Sequence, residues 1–358
     1  MKFLKKFERS GKRRILSFLK IFFKTVQVKR EEVDVNRIER ILVVRQDSRL
    51  GNLVLMTPFL SILRNYFPFS EINVIVSEGF ENILALNPNI NGIIKFEKKK
   101  SIFLPLKYLN FVRKLRNKKY DLAIDVSDGR HFSFNNVVLT ALSGAEYRLG
   151  FNRGEAENFL NLLVPVPPPN MYMADALNEL ARFLFPEAGG FELEYYLSDS
   201  EKDFADEWLR KHSVMEFDTF FAIHPGGKGR KRWGADKFAT LVNRIHQETG
   251  VKIVFISGNS EKNIIESIRE LSKAPFEVLE NVTAGQMAAV IDRCSVFVSG
   301  DTGPMHVASA LKKPVIGIFI SSNFHEFGPR GENARIVISG KTSDSVDDVI
   351  KALKDLRV

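Results

Sequence analysis

The sequence predicts an α/β protein built of two units, each a doubly wound parallel sheet, with a cleft between them. Three observations predict it. Short β-branched runs alternate with longer helical patterns twice over, once before and once after a proline-rich stretch. Several of those runs end in Gly, Asp or His, as strands do that deliver residues to a ligand crevice. A chain of 358 residues with 44% apolar composition also exceeds what one core usually serves.

In the first series ILVVR (residues 41–45) is a buried-type strand, followed by a Gly-containing turn and the apolar helical stretch VLMTPFLSILRNYFP, which Pro68 ends. INVIVS and IIKF are the next strands, a basic helix spans 108–119, and DLAIDVS and YRLGF continue the alternation. VPVPPPN reads as a stiff connector. The second series runs FFAIHPGG, helix KFATLVNRIHQETG, strand KIVFISG, helix EKNIIESIREL, strand FEVL, helix AGQMAAVIDRC, strand VFVSGD, helix GPMHVASALK, strand PVIGIF. The chain thus divides into an extension (1–36), an N-terminal unit (37–187), a C-terminal unit (188–340) and a last helical segment (341–358) that is a candidate to pack back on the N-terminal unit.

The net charge of +9 belongs to the tail: residues 1–30 hold eleven Lys or Arg against Glu8, which leaves −1 for the rest. Phe3, Leu4, Phe7, Ile15, Leu16, Phe18, Leu19, Phe22 and Phe23 form roughly one helical face with lysines opposite, the pattern of a segment lying on an anionic membrane surface. A helix packed on the protein's own surface is the alternative. Lys20 and Lys24 interrupt the face, so it is too charged to span a bilayer, and it lacks a secretory cleavage site. Nucleic acid is not an expected partner, because the rest of the chain carries no aromatic-and-basic platform. The one cysteine, Cys294, has no partner and no metal spacing, which fits a reducing, cytoplasmic compartment.

Four stretches carry candidate chemistry. In SGDTGPMHVASALKKPVIGIF (299–319) a strand delivers Asp301, Thr302 and Gly303, and a helix opens near Pro304, a favoured first-turn residue. Its free N–H groups and dipole suit a diphosphate; Thr302 and His306 add donors, while Asp301 reads as a cap or an orienting group. Taken alone, the three side chains read better as two capping residues and a satisfied half-buried histidine. In HPGGKGRKRWGADKFATL (224–241), Gly226 and Gly227 allow close backbone approach, and Lys228, Arg230, Lys231 and Arg232 crowd an anion-attracting loop. Lys231 is the residue placed to neutralise a departing phosphate, whereas Arg230 and Arg232 read as solvated and Trp233 as packing on the helix. In FISGNSEKN, Glu261 suits ribose hydroxyls or simply starts a helix. The fourth stretch is RQDSRLGNLVLMTP (45–58).

Together these stretches resemble glycosyltransferase family 9, the heptosyltransferases of lipopolysaccharide inner core, in the family's order from about Arg37 to the end. The resemblance implies a GT-B fold, an ADP-heptose-type nucleotide-sugar donor in the C-terminal unit, a lipopolysaccharide or other lipid A-type acceptor against the N-terminal unit, and inverting transfer without a metal or other cofactor. It implies that Lys231 meets the diphosphate, Glu261 the ribose, and Asp301, Thr302, Gly303 and His306 the phosphate and sugar. No Asp-x-Asp metal motif occurs in the sequence, which agrees. The enzyme is then expected on the cytoplasmic face of the inner membrane.

The position after Gly51, where the family usually carries an acceptor-activating aspartate, is Asn52 here. An amide cannot take a proton near neutral pH. Asp47 in the same loop, Asp125 or Asp128 after the DLAIDVSDGRH strand, or a protein that binds without turnover all remain open. Arg49, Arg130, His131 and Arg148 edge the acceptor half and suit phosphorylated sugars. Rival readings are a nucleotide-sugar epimerase and a catalytically degenerate nucleotide-sugar-binding protein. A dinucleotide dehydrogenase is disfavoured, since no Gly-x-Gly-x-x-Gly follows either first strand.

Overall fold

The computed structural model describes residues 25–97, 105–214, 219–227, 229, 232–340 and 345–356. Strands β1 (Arg40–Arg45), β2 (Glu71–Ser77), β3 (Gly92–Phe96), β4 (Leu122–Asp125), β5 (Tyr147–Phe151) and β6 (Leu162–Val164) pair in parallel in the order β3-β2-β1-β4-β5-β6. Strands β7 (Phe220–His224), β8 (Lys252–Ile256), β9 (Glu277–Leu279), β10 (Val296–Gly300), β11 (Val315–Phe319) and β12 (Ala334–Ile338) pair in the order β12-β11-β10-β7-β8-β9, the same topology read from the other edge. Near-continuous apolar strands such as β1 and β7 are buried on both faces, as parallel sheets covered by helices require. Each sheet reverses its winding between its first and fourth strands, and the crevice at such a reversal is where ligands bind.

Helices α1 (Leu50–Val54), α2 (Thr57–Tyr66), α3 (Pro105–Asn117), α4 (Phe134–Leu142) and α5 (Met173–Leu184) accompany the first sheet. Helices α6 (Asp199–Lys211), α7 (Ala235–Thr249), α8 (Lys262–Leu271), α9 (Ala284–Arg293), α10 (Gly303–Ala310), α11 (Phe324–Phe327) and α12 (Ser345–Asp355) accompany the second. The long apolar stretch after β1 is two helices, not one. Pro58, in the first turn of α2, has no N–H to continue the ladder of α1, and the Thr57 hydroxyl donates to the Val54 carbonyl at 2.8 Å across the break. The basic helix begins at Pro105, and α4, α5, α6, β6 and β12 are elements that periodicity did not disclose. Among them α6 carries a readable start, a capping box in which Ser198 and Glu201 satisfy each other's backbone N–H.

The last helix does not return to the N-terminal half. Val346, Val349, Ile350 and Leu353 of α12 join the core formed by Phe221, Phe238 and Ile316, against α7, β11 and β12. Strand β12 leaves the chain at the edge of the second sheet, so that sheet's own uncovered face is the nearest apolar surface. The amphipathic reading of the tail falls on residues 1–24, outside the described residues. Residues 25–28 already belong to the N-terminal body: Val28 N–H donates to Asn161 O at 2.9 Å, and the Thr25 hydroxyl to Asn158 O at 2.8 Å.

The reversal point of the first sheet is built on buried charge. Arg45, 2% exposed at the end of β1, donates to the Val126 carbonyl, and Asp125 at the end of β4 accepts from Arg153 Nη2 at 3.1 Å and from the Ser127 hydroxyl at 2.5 Å. Asp125 is thereby spoken for, fully buried and turned away from solvent, which removes it as a candidate base. Arg153→Ala should leave that carboxylate buried and unpaired, at a cost of about 3–5 kcal/mol. A denaturant titration that showed less than ~1 kcal/mol would mean the pair is not structural.

Candidate active site

The two crevices meet in one cleft of about 970 Å³. Arg49, Leu50, Gly51, Asn52 and Phe80 line it from the N-terminal half. From the C-terminal half come His224, Gly227, Arg232, Glu261, Thr283, Met287, Asp301, Thr302, Gly303, Pro304 and His306. The halves touch where α1 crosses α10. A Cβ on Gly51 would stand 2.6 Å from His306 Cδ2 and 3.2 Å from Gly303 Cα, and one on Gly303 would stand 3.1 Å from Gly51 N. Both glycines are therefore required by close backbone approach. Around them Leu53 and Val54 share one continuous core with Ala288, Val307 and Ala308 of the other half.

On the C-terminal side α10 starts at Gly303 with Pro304 second, and its cap residue Thr302 makes no side-chain capping bond. The Thr302 hydroxyl pairs with the Ser299 hydroxyl at 2.9 Å. The first-turn N–H groups consequently keep their capacity for an anion. Asp301 does not occupy the cap position that sequence offered it; it lies at the cleft wall one residue earlier. His306, one turn in, is buried with Nδ1 unsatisfied, and burial lowers its pKa to about 4 against the opposing pull of Asp301. It is a neutral imidazole at neutral pH.

Glu261 is buried at the cleft wall and folds back on its own loop, accepting from Gly258 N–H at 3.1 Å and from the Ser260 hydroxyl at 2.5 Å. It makes no side-chain cap for α8, so starting that helix is not what its carboxylate does. His224 at the end of β7 bonds through Nδ1 to the Ile256 carbonyl at 2.8 Å, which places the proton on Nδ1 and leaves Nε2 an acceptor beside Gly226. Its pKa is lowered by burial, partly offset by the Ile256 bond and Glu261.

Lys228, Arg230 and Lys231 lie outside the described residues. Arg232 is not the solvated charge that sequence implied: it lines the cleft and donates to Gly227 O at 3.0 Å and to Ser260 O at 3.3 Å, stapling two donor-side loops together. Trp233 is buried and meets Phe238 edge-on at 4.8 Å.

On the N-terminal side Asn52 faces the cleft, and its Nδ2 donates to Asp47 Oδ2. Arg45 Nη2 lies 3.4 Å from the same oxygen. Asp47 stands behind Asn52, part-exposed and outside the cleft lining. Asp128 and Arg130 do not line the cleft either. Asp128 accepts from Arg130 N–H at 2.9 Å and from His131 at 2.8 Å; burial alone would raise its pKa, but these bonds outweigh it and hold the carboxyl below its ordinary value. Arg130 reaches across to the buried Glu326 of α11, which also accepts from Asn323 at 2.6 Å, and Asn323 donates to Asn170 Oδ1 at 2.7 Å. Arg148 spends its guanidinium on the carbonyls of Phe159 and Ala145. Among the residues sequence did not single out, His224 was legible as a strand end at the second reversal point. Thr283 was legible too, as the cap of a T-x-x-Q box whose hydroxyl accepts from Gln286 N–H at 3.2 Å. Phe80, Met287 and Glu326 carried no local signal.

Two facing doubly wound domains with a shared cleft, one wall an open helix N-terminus, are the GT-B architecture. A family model described as glycosyltransferase family 9 (heptosyltransferase) matches residues 108–353, and the chain belongs to that family. It is 24% identical to lipopolysaccharide heptosyltransferase 3 of Escherichia coli over 311 residues, 79% of this chain and 84% of that one. Two solved structures share the fold: a family 9 glycosyltransferase of Veillonella parvula (TM-score 0.79, 22% identity, 89% and 97% of the two chains) and ADP-heptose lipopolysaccharide heptosyltransferase II of E. coli (TM-score 0.73, 22% identity, 88% and 98%).

Gly51→Ala should wedge the halves apart, costing about 1–3 kcal/mol and weakening nucleotide binding; an unchanged denaturation midpoint would show that the close approach yields freely. His306 is held near 4 when folded against 6.5 unfolded, so the native state binds fewer protons between those values. Its contribution is whole above about 6.5 and is lost as pH falls toward about 4. Urea midpoints should decline over that window, and His306→Gln should flatten the decline.

Proposed function

We propose that this glycosyltransferase moves a heptose from ADP-heptose to a hydroxyl of a lipopolysaccharide-type, lipid-linked acceptor, with inversion and without a metal, on the cytoplasmic face of the inner membrane. The observation that carries the reading is the single cleft in which the open N-terminus of α10 opposes Asn52 across the Gly51–Gly303 contact. Family membership and the names of the relatives above supply the sugar and the acceptor class.

In this reading the diphosphate rests on the first-turn N–H groups of α10 and the Thr302 hydroxyl, with Gly226 and Gly227 giving backbone access and Glu261 taking ribose hydroxyls. As the acceptor oxygen bonds to the anomeric carbon and the sugar–phosphate bond breaks, negative charge grows on the leaving diphosphate. The helix dipole, Lys231 and a ring N–H of His306 stabilise it. On the other side Asp47 holds the Asn52 amide so that its Oδ1 faces the cleft and accepts from the acceptor hydroxyl. In this reading Asp47, the carboxylate of that same loop, takes the hydroxyl's proton at turnover as the Asn52 amide turns out from between them. The residues 1–30 supply contact with anionic lipid; among the described residues no helix is long and apolar enough to cross a membrane.

A second reading, a nucleotide-sugar binder without turnover, draws on one observation: Asp47 is already engaged by Asn52 and Arg45 and stands outside the cleft lining. Transfer from ADP-heptose to a deep-truncated, deacylated acceptor, read by mass shift in the presence of a chelator, separates the two. Wild type should be active and Asp47→Asn slower by about 10²–10⁴ with donor binding retained. Transfer by Asn52→Asp alone would establish the binder.

A further inference from the structure

Residues 98 to 119 hold nine lysines and arginines and no acidic residue, outside the basic tail altogether. The described part of this run is α3, and its two faces differ sharply. Tyr108, Phe111, Val112 and Leu115 turn inward, Tyr108 and Phe111 meeting Phe96 edge-on at 6.3 Å and 5.3 Å. Leu106 and Leu109 turn outward, 80% and 62% exposed, one turn apart on the face that also carries Arg113 and Arg116. Lys107 and Lys114 flank them. A soluble surface gains nothing from two exposed leucines on one helical face; leucines rimmed by cations match an interface of acyl chains below anionic headgroups.

The orientation of α3 adds a second reason. Its first turns abut Phe96, the last residue of β3, and its far end lies at the start of β1, where Arg40 donates to the Lys118 carbonyl at 3.3 Å. The helix thus runs antiparallel to the strands, and Leu106 and Leu109 stand at the strand C-terminal edge of the N-terminal half, the edge on which the cleft opens. We infer that α3 is a lipid-docking surface, seated on an anionic bilayer through Leu106 and Leu109 with the surrounding lysines and arginines on the headgroups. It brings the acceptor side of the cleft to the membrane that holds a lipid-linked acceptor. This rests on the proposed function only for that purpose; transfer to a deacylated acceptor in solution tests the chemistry separately.

The tail complicates sedimentation, so the test must report on α3 itself. Cys294 is buried and its thiol is pushed up to about 12 by burial, which leaves an introduced cysteine as the reactive one. Full-length Leu109→Cys, carrying an environment-sensitive dye, should shift to the blue with vesicles containing phosphatidylglycerol and not with pure phosphatidylcholine. The same dye on Lys273→Cys, on the exposed turn after α8, should not shift with either. Leu106→Asp with Leu109→Asp should lower partitioning onto anionic vesicles about tenfold while transfer to the deacylated acceptor is unchanged. A protein that sediments with vesicles while the dye at 109 stays in water binds through another surface, and the inference fails. It fails equally if the dye responds to a homopolymeric RNA and not to vesicles, or if the double variant partitions like wild type.

Discussion

Two glycines without side chains hold this molecule's two halves at a distance that no other residue pair would permit. Because Gly51 and Gly303 bring backbone against backbone, α1 and α10 pack as if they belonged to one domain, and Leu53, Val54, Val307 and Ala308 close a common core around them. The burial of His306 follows from the same approach, since Gly51 covers its ring. A neutral imidazole therefore stands one turn inside the open N-terminus of α10. The shape of the cleft is thus tied to the contact between the halves.

Charge is distributed unequally between the walls. The C-terminal wall presents N–H groups, a helix dipole and the loops stapled by Arg232, all suited to a polyanion whose charge rises during reaction. The N-terminal wall exposes Arg49 at the cleft but buries other charges: Arg45, Asp125 and Arg153 form a scaffold that holds the ends of β1 and β4, and Asp47 and Asn52 stand between that scaffold and the cleft. An aspartate directly on the cleft wall would need no support of this kind. Asn52 has that support: its Nδ2 donates to Asp47, which fixes the way the amide faces. At the rim, Arg130 and Glu326 tie the halves a second time, so that an acidic acceptor group near Arg130 would compete with a protein carboxylate for it.

Much of this was legible in the sequence. The strands of both sheets that carry the site, the opening of α10 near Pro304 and the cleft position of Gly51, Asn52, Thr302 and Glu261 follow from apolar alternation and from short motifs at strand ends, and the family from the resemblance of those motifs taken together. These are local signals: a β-branched run bounded by Gly or Asp is readable within ten residues. Helix α6 is marked in the sequence by its Ser198–Glu201 capping box, whereas β6 and β12 are short or half-exposed strands whose identity depends on the neighbour they pair with.

By itself the sequence determined the kind of fold and the residue types gathered at its strand ends, because periodicity and turn chemistry act over a few residues. Only the tertiary structure decided which of those residues share a cleft. It buried Asp125 under Arg153, set Asp47 behind Asn52, sent Arg130 to Glu326, turned Arg232 into a staple between loops, and kept α12 on the second sheet. Each of these depends on partners far away along the chain, chosen by burial and charge pairing, and a pattern read along one dimension contains no record of them.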